Sequence, residues 1–134
     1  MPKILVQSAA APVTGFTDKS APSPLAQAIR AGDFLYVSVQ GPLDPETKEV
    51  VSADIREHTR QTLKNLVAIL NAGGATLANV VNMRVCLRNT ADFRAFNETF
   101  REFMAGEKVT RTCTGGTPHR AGVNVEIDCV AYLG

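Results

Sequence analysis

Gly122-Val123-Asn124-Val125-Glu126-Ile127-Asp128-Cys129-Val130-Ala131-Tyr132-Leu133 reads as a β-strand whose two faces differ in kind. Val123, Val125, Ile127, Cys129 and Ala131 fall on one side at a period of two, and Asn124, Glu126, Asp128, Val130 and Tyr132 on the other. The first set is a core face. The second mixes two carboxylates with a valine and a tyrosine, so it is neither a solvated face nor a buried one. A sheet built around this strand needs helices on one side and a partly dry environment on the other.

Working outward, residues 109–115 form a second strand with a guanidinium, Arg111, at its centre, and Val80–Leu87 a third. Phe34–Gln40 is a strand whose alternating sets, Leu35, Val37, Val39 and Phe34, Tyr36, Ser38, Gln40, again leave no clean polar face. Leu25–Arg30 pairs with it through the turn Ala31-Gly32-Asp33, and Lys3–Gln7 adds a short strand. Residues 8–24, rich in Ala, Pro, Ser and Thr, and Gly41–Val51 are loops. Ser52 is the expected N-cap of a first helix, with Asp54 and Glu57 in its first turns and apolar residues at helical spacing up to the stop at Gly73-Gly74. His58 is placed on its polar, solvated side. Thr90 is the expected cap of a second helix, in which Phe93, Phe96, Phe100 and Phe103 make a core-facing stripe.

The order ββ-α-β-α-ββ predicts an α+β fold with both helices on one face, in a single domain over residues 1–134. The mixed opposite face is most economically covered by another copy of the chain, so a homo-oligomer is expected, with a site where Arg111 and Glu126 meet a neighbouring subunit. Arg84, on a central strand, is assigned to an ion pair or to that interface.

The charge balance, 14 Lys and Arg against 13 Asp and Glu, argues against binding of nucleic acid or of an anionic membrane surface. No apolar run approaches the roughly 20 residues that span a bilayer, and the N-terminus lacks a signal-peptide core, so a cytoplasmic protein is expected. Cys86, Cys113 and Cys129 are odd in number and lack C-x-x-C spacing; they are read as reduced and apolar, with neither disulfide nor zinc site.

Ser23-Pro24-Leu25-Ala26-Gln27-Ala28, Tyr36 to Pro42, Asp92 to Phe100, Thr110-Arg111-Thr112-Cys113 and Val125-Glu126-Ile127-x-x-x-Ala131 together resemble the Rid family, also called YjgF or L-PSP. The most specific parts are the Arg-x-Cys of the penultimate strand and the Val-Glu-Ile of the last, in order and at the family's separation. The resemblance implies a chorismate-mutase-like homotrimer whose sheets form a central barrel with intersubunit clefts. It implies hydrolysis of small carboxylate-bearing enamines and imines to 2-keto acids and ammonia, with no metal or organic cofactor. Arg111 would hold the substrate carboxylate and Glu126 would position or activate the attacking water. Ser38, Asn97 and the backbone at Cys113 would line the cleft, and Leu25 stands where the family usually has a cleft tyrosine. Val39 replaces a glycine, and Gly115-Gly116 to Arg120 replaces a plainer turn.

Other readings stay open beside these. Arg111 and Glu126 could be ion-pair partners, and Ser38 and Asn97 could be satisfied internally. Cys113 as a nucleophile would need a base, for which His119 is the histidine nearest in sequence. The chain could be a non-catalytic carboxylate binder or chaperone-like protein, or a deaminase whose larger substrate fills the space at Leu25. The endoribonuclease activity sometimes associated with the family gains no support from the charge balance.

Overall fold

The computed structural model describes residues 2–13 and 22–134. Its elements are β1 (Ile4–Val6), β2 (Ala28–Ala31), β3 (Phe34–Gln40), α1 (Ile55–Ala72), β4 (Val80–Leu87), α2 (Phe93–Met104), β5 (Thr110–Gly115) and β6 (Val125–Tyr132). They form one sheet in the order β1-β2-β3-β6-β4-β5. Neighbours are antiparallel except β4 and β5, which are parallel and joined through α2. The last strand therefore sits inside the sheet, between β3 and β4. Its Val125, Ile127, Cys129 and Ala131 are buried against Leu63, Leu66, Ile69 and Leu70 of α1 and Phe96, Phe100 and Met104 of α2 in one core. Both helices thus cover the face that the alternation of β6 marks as apolar.

Several local expectations are corrected. β2 starts at Ala28, leaving Leu25 ahead of the strand rather than within it, and β1 is confined to Ile4–Val6. Of the expected loop at residues 8–24, residues 14–21 lie outside the described part, as does Met1. Asp54, not Ser52, caps α1, accepting from the Arg56 N–H at 3.1 Å, while the Ser52 hydroxyl accepts from the Asp54 N–H. Thr90 does not cap α2: Asn89 caps a short 3-10 turn at Thr90–Asp92, and α2 starts behind it at Phe93 without a side-chain cap bond. α1 ends at Gly73-Gly74: Gly74 takes the left-handed φ of 82° that closes a helix, and a Cβ at Gly73 would stand 2.6 Å from Leu35 Cδ2.

Two further departures from expectation matter for the site. The pairing of β3 with β6 shifts between Val37 and Gln40, so Leu35, Val37 and Gln40 point into the core, and Ser38 and Val39 are both left half-buried. Such a bulge reverses the alternation beyond it. His58 is not solvated: it is fully buried, its Nδ1 accepting from the Asn124 N–H at 3.4 Å and its Nε2 bonded to the Ser52 carbonyl. It belongs to the buried stripe Ile55, His58, Thr59, Thr62, and it fastens the segment two residues ahead of Glu126 to the first turn of α1.

The loop after β3 is held by another buried polar group. Asn65, 1% exposed, donates to the carbonyls of Gly41 at 3.0 Å and Leu43 at 2.9 Å and accepts from Gln61. Asn65→Leu would leave the Leu43 carbonyl without its donor and the Gly41 carbonyl with only the Leu43 N–H, at a cost of about 2 kcal/mol. A thermal melt is expected to show Tm lowered by roughly 10 °C, and an unchanged Tm would deny Asn65 this role.

Candidate active site

Arg111 sits on β5, the strand at the sheet edge, paired with Met83 of β4. Because Met83 is buried and in turn pairs with Cys129, the Arg111 side chain lies on the helix side of the sheet. There its Cζ stands 4.9 Å from the ring centroid of Phe100, 5.5 Å from Phe96 and 5.8 Å from Phe93. The stripe read as core is therefore also an aromatic cradle. Phe96 and Phe100 are buried, whereas Phe93 is 43% exposed. Among the described residues no carboxylate pairs with Arg111 and no side-chain hydrogen bond engages it, although a guanidinium carries five donors in a planar fork. Beside it lies a groove of about 630 Å³ lined by Phe100, Met104, Lys108 and Val109 among others.

Cys113 lies two residues further along β5, on the same face. Burial pushes its thiol up, against the pull of Arg111, so it is held protonated and suited to packing rather than to attack. All three cysteines are free, and burial pushes the Cys129 thiol up to about 12.

Glu126 is on the opposite face. It pairs across the sheet with Cys86, three residues from the Met83 that pairs with Arg111, and three is an odd step in a strand. Within one chain the sheet separates the two residues. Glu126 lines a groove of about 480 Å³ with Val39, Arg84, Cys86, Thr112, Thr114 and Asp128. Arg84 and Asp128 pair there at 3.0 Å, the ion pair expected of Arg84, so Asp128 has its own partner. Burial raises the pKa of Glu126 and the Asp128 carboxylate adds to the shift, while His119 and Arg88 oppose it. A half-buried carboxylate whose pKa is raised by burial is a stronger base, when ionised, than a solvated one.

Ser38 and Leu25 share a second groove on the same open face, of about 740 Å³, which also takes in Tyr36, Val39, Arg84 and Asp128. The two open-face grooves meet at Val39, Arg84 and Asp128. Ser38 Oγ donates to the Ala26 carbonyl at 2.7 Å, so its hydroxyl proton is committed to the segment that carries Leu25. Asn97 is exposed on α2, one turn beyond Phe93. One chain thus gathers Leu25, Ser38 and Glu126 on the open face and Arg111 and Cys113 on the helix face. Among the described residues no group of three or more His, Cys, Asp or Glu could hold a metal ion, and no helix is long and apolar enough to cross a membrane.

Two supporting residues escaped the sequence reading. Arg88 donates to the carbonyls of Val123 at 2.8 Å, Pro118 at 3.0 Å and Arg120 at 3.1 Å, which fixes the connection between β5 and β6 beside Glu126. Gln27, 3% exposed, donates to the Ala11 carbonyl at 2.9 Å and accepts from the Ser8 N–H, tying the N-terminal segment to the residue just ahead of β2. Their partners are backbone atoms far away in sequence, which leave no pattern of side chains to read.

A mixed sheet with two helices on one face, crossed over between its parallel pair, is a chorismate-mutase-like α+β fold. The chain shares it with YyfA, a Rid-family protein of Yersinia pestis, at a TM-score of 0.87 and 30% identity over 98% of this chain and 99% of that one. The YjgF gene product of E. coli matches at a TM-score of 0.84 and 26% identity, covering 96% of this chain and 98% of that one. Residues 18–133 match the family model for Endoribonuclease L-PSP. A RutC family protein of Pyrococcus horikoshii is 39% identical over 120 residues, 87% of this chain and 94% of that protein. A 2-iminobutanoate/2-iminopropanoate deaminase of Mus musculus is 33% identical over 111 residues, 83% of this chain and 82% of that protein. The chain belongs to the L-PSP family, known also as the YjgF or Rid family.

Proposed function

We propose that the protein is a cofactor-independent hydrolase of small 2-imino and enamino acids. The observation that carries this reading is Arg111: a guanidinium beside a groove at the sheet edge, bound by no carboxylate among the described residues. Its fork matches a substrate carboxylate bidentately. Glu126, raised above the usual carboxylate range by burial, takes a proton from water as the water oxygen bonds to the imine carbon and the imine nitrogen gains a proton. The carbinolamine then collapses: the protonated Glu126 returns its proton to the amino nitrogen, the C–N bond breaks as the hydroxyl oxygen forms the carbonyl and releases its proton to solvent, and a 2-oxo acid and ammonia remain. Holding an already electrophilic carbon next to an oriented water is most of the task. The deaminase name of the mouse relative supports the same reaction class.

Because the sheet keeps Arg111 and Glu126 apart within one chain, the reading includes a homotrimer in which the site is completed across the subunit boundary. The open face supports this. Tyr36, Phe34 and Tyr132 are 52%, 40% and 44% exposed on it, beside the Arg84–Asp128 pair, a surface mixed enough to be covered by a copy of itself.

The test is hydrolysis of freshly generated 2-iminobutanoate, followed as ammonia and 2-oxobutanoate. Acceleration over the spontaneous rate is expected, and its absence would sink the reading. A second reading, a carboxylate binder without turnover, draws on the open-face groove, where the Ser38 hydroxyl proton is already committed to Ala26 and Leu25 offers no polar atom. That reading predicts protection against heat by 2-oxobutanoate with no ammonia released.

A further inference from the structure

Phe93, Phe96 and Phe100 recur at three and four residues, one face of α2, and that face crosses β5 at Arg111. A stripe serving only the core would be uniformly buried and would meet apolar strand residues. Here the rings converge on a guanidinium, and the outermost, Phe93, stays 43% exposed although it is apolar. We infer that Phe93, Phe96 and Phe100 are positioning residues that hold the Arg111 guanidinium by cation–π contact and leave its N–H donors free for a ligand carboxylate.

The physical reason is competition. An arginine on a strand is ordinarily fixed by an aspartate or glutamate, and that carboxylate would occupy the same donors as an incoming carboxylate ligand, so binding would require displacing it. A ring face attracts the cation through its quadrupole without accepting either of the fork's in-plane N–H pairs. Arginine's four rotatable side-chain bonds are then restrained before the ligand arrives, and less freedom is lost on binding. The α2 carboxylate Glu98 is spent elsewhere, held by Arg56 at 2.8 Å and Arg94 at 3.3 Å. Glu107, on the rim of the neighbouring groove, makes no ion pair among the described residues and leaves Arg111 to the rings. This inference rests on the carboxylate-binding reading of Arg111.

The test compares Phe93→Leu and Phe100→Leu, which keep apolar bulk and remove the ring face, with Phe93→Tyr and Phe100→Tyr, which keep the face. The dissociation constant of 2-oxobutanoate is measured by calorimetry, and KM and kcat with 2-iminobutanoate. Each leucine variant is expected to weaken 2-oxobutanoate about two- to five-fold, with the loss in KM rather than kcat, and each tyrosine variant to restore wild-type affinity. Phe93, being exposed, gives this result at unchanged Tm, which guards against a folding defect at the more buried Phe100. Wild-type affinity in Phe93→Leu and Phe100→Leu, or equal losses in the leucine and tyrosine variants, would overturn the cradle while leaving the carboxylate site in place. A wild-type protein that binds no 2-oxobutanoate would overturn both.

Discussion

Glu126→Gln is expected to lower kcat for imine hydrolysis by about 10²- to 10⁴-fold, the range over which a positioned general base contributes. The amide keeps the shape and the hydrogen-bonding reach of the side chain and removes only its ability to take a proton. The pH dependence follows from the direction of the shift. Burial disfavours the charged form of Glu126, so the folded-state pKa lies above the ordinary glutamate value. The base is active when ionised, and kcat/KM of the wild type should therefore rise with pH through a limb displaced upward from the usual carboxylate range. The same limb should vanish in Glu126→Gln.

Stability separates this from damage. A carboxylate with a raised folded pKa stabilises the fold only where it is protonated; that contribution is full below the unfolded pKa and is lost as pH rises through the folded one. Above its folded pKa the ionised Glu126 is a net cost to the fold, so in that range Glu126→Gln should melt no lower than the wild type. A variant that is inactive and melts lower would have lost its structure rather than its base, and a variant with wild-type kcat would remove Glu126 from the reaction.

The same opposition between local pattern and distant partner explains what the sequence disclosed. The strands that carry Arg111 and Glu126, and the burial of one face of β6, were legible because a period of two survives in any regular strand. The alternation failed in β3 where a bulge reverses phase and buries Gln40 in place of Val39, since an extra residue in a ladder has no signature in a single strand. His58 was misread from its chemistry: its position in the Ile55, Thr59, Thr62 stripe was visible, but what makes a buried imidazole acceptable, the Asn124 N–H and the Ser52 carbonyl, comes from other segments. The aromatic stripe of α2 was visible as a stripe and not as a cradle. Nothing local says that the residue packed beneath Phe100 belongs to β5 and is a cation. Register between strands, finally, is what puts Arg111 and Glu126 on opposite faces, and it is fixed only once Met83 and Cys86 of β4 pair with them.

Arg111→Ala should lower kcat/KM by about 10- to 150-fold, the loss of a charge-assisted interaction worth roughly 1.5–3 kcal/mol. It should also abolish protection of the fold by 2-oxobutanoate. Arg111→Lys, which keeps the charge and loses the planar fork, should fall between the two. A mixing experiment then asks where the halves of the site come from. Each of Arg111→Ala and Glu126→Gln is impaired in every site of its own oligomer. If the site joins Arg111 of one chain to Glu126 of its neighbour, chains of the two variants unfolded together and reassembled restore both groups at some boundaries. For random assembly in equal amounts that is about a quarter of all boundaries in a closed ring. Activity near one quarter of the wild type is therefore the expected result. Activity no higher than that of the separate variants would place both groups in the same chain, and the two faces of the sheet would have to be bridged at its edge, around the end of β5, rather than by a neighbouring copy.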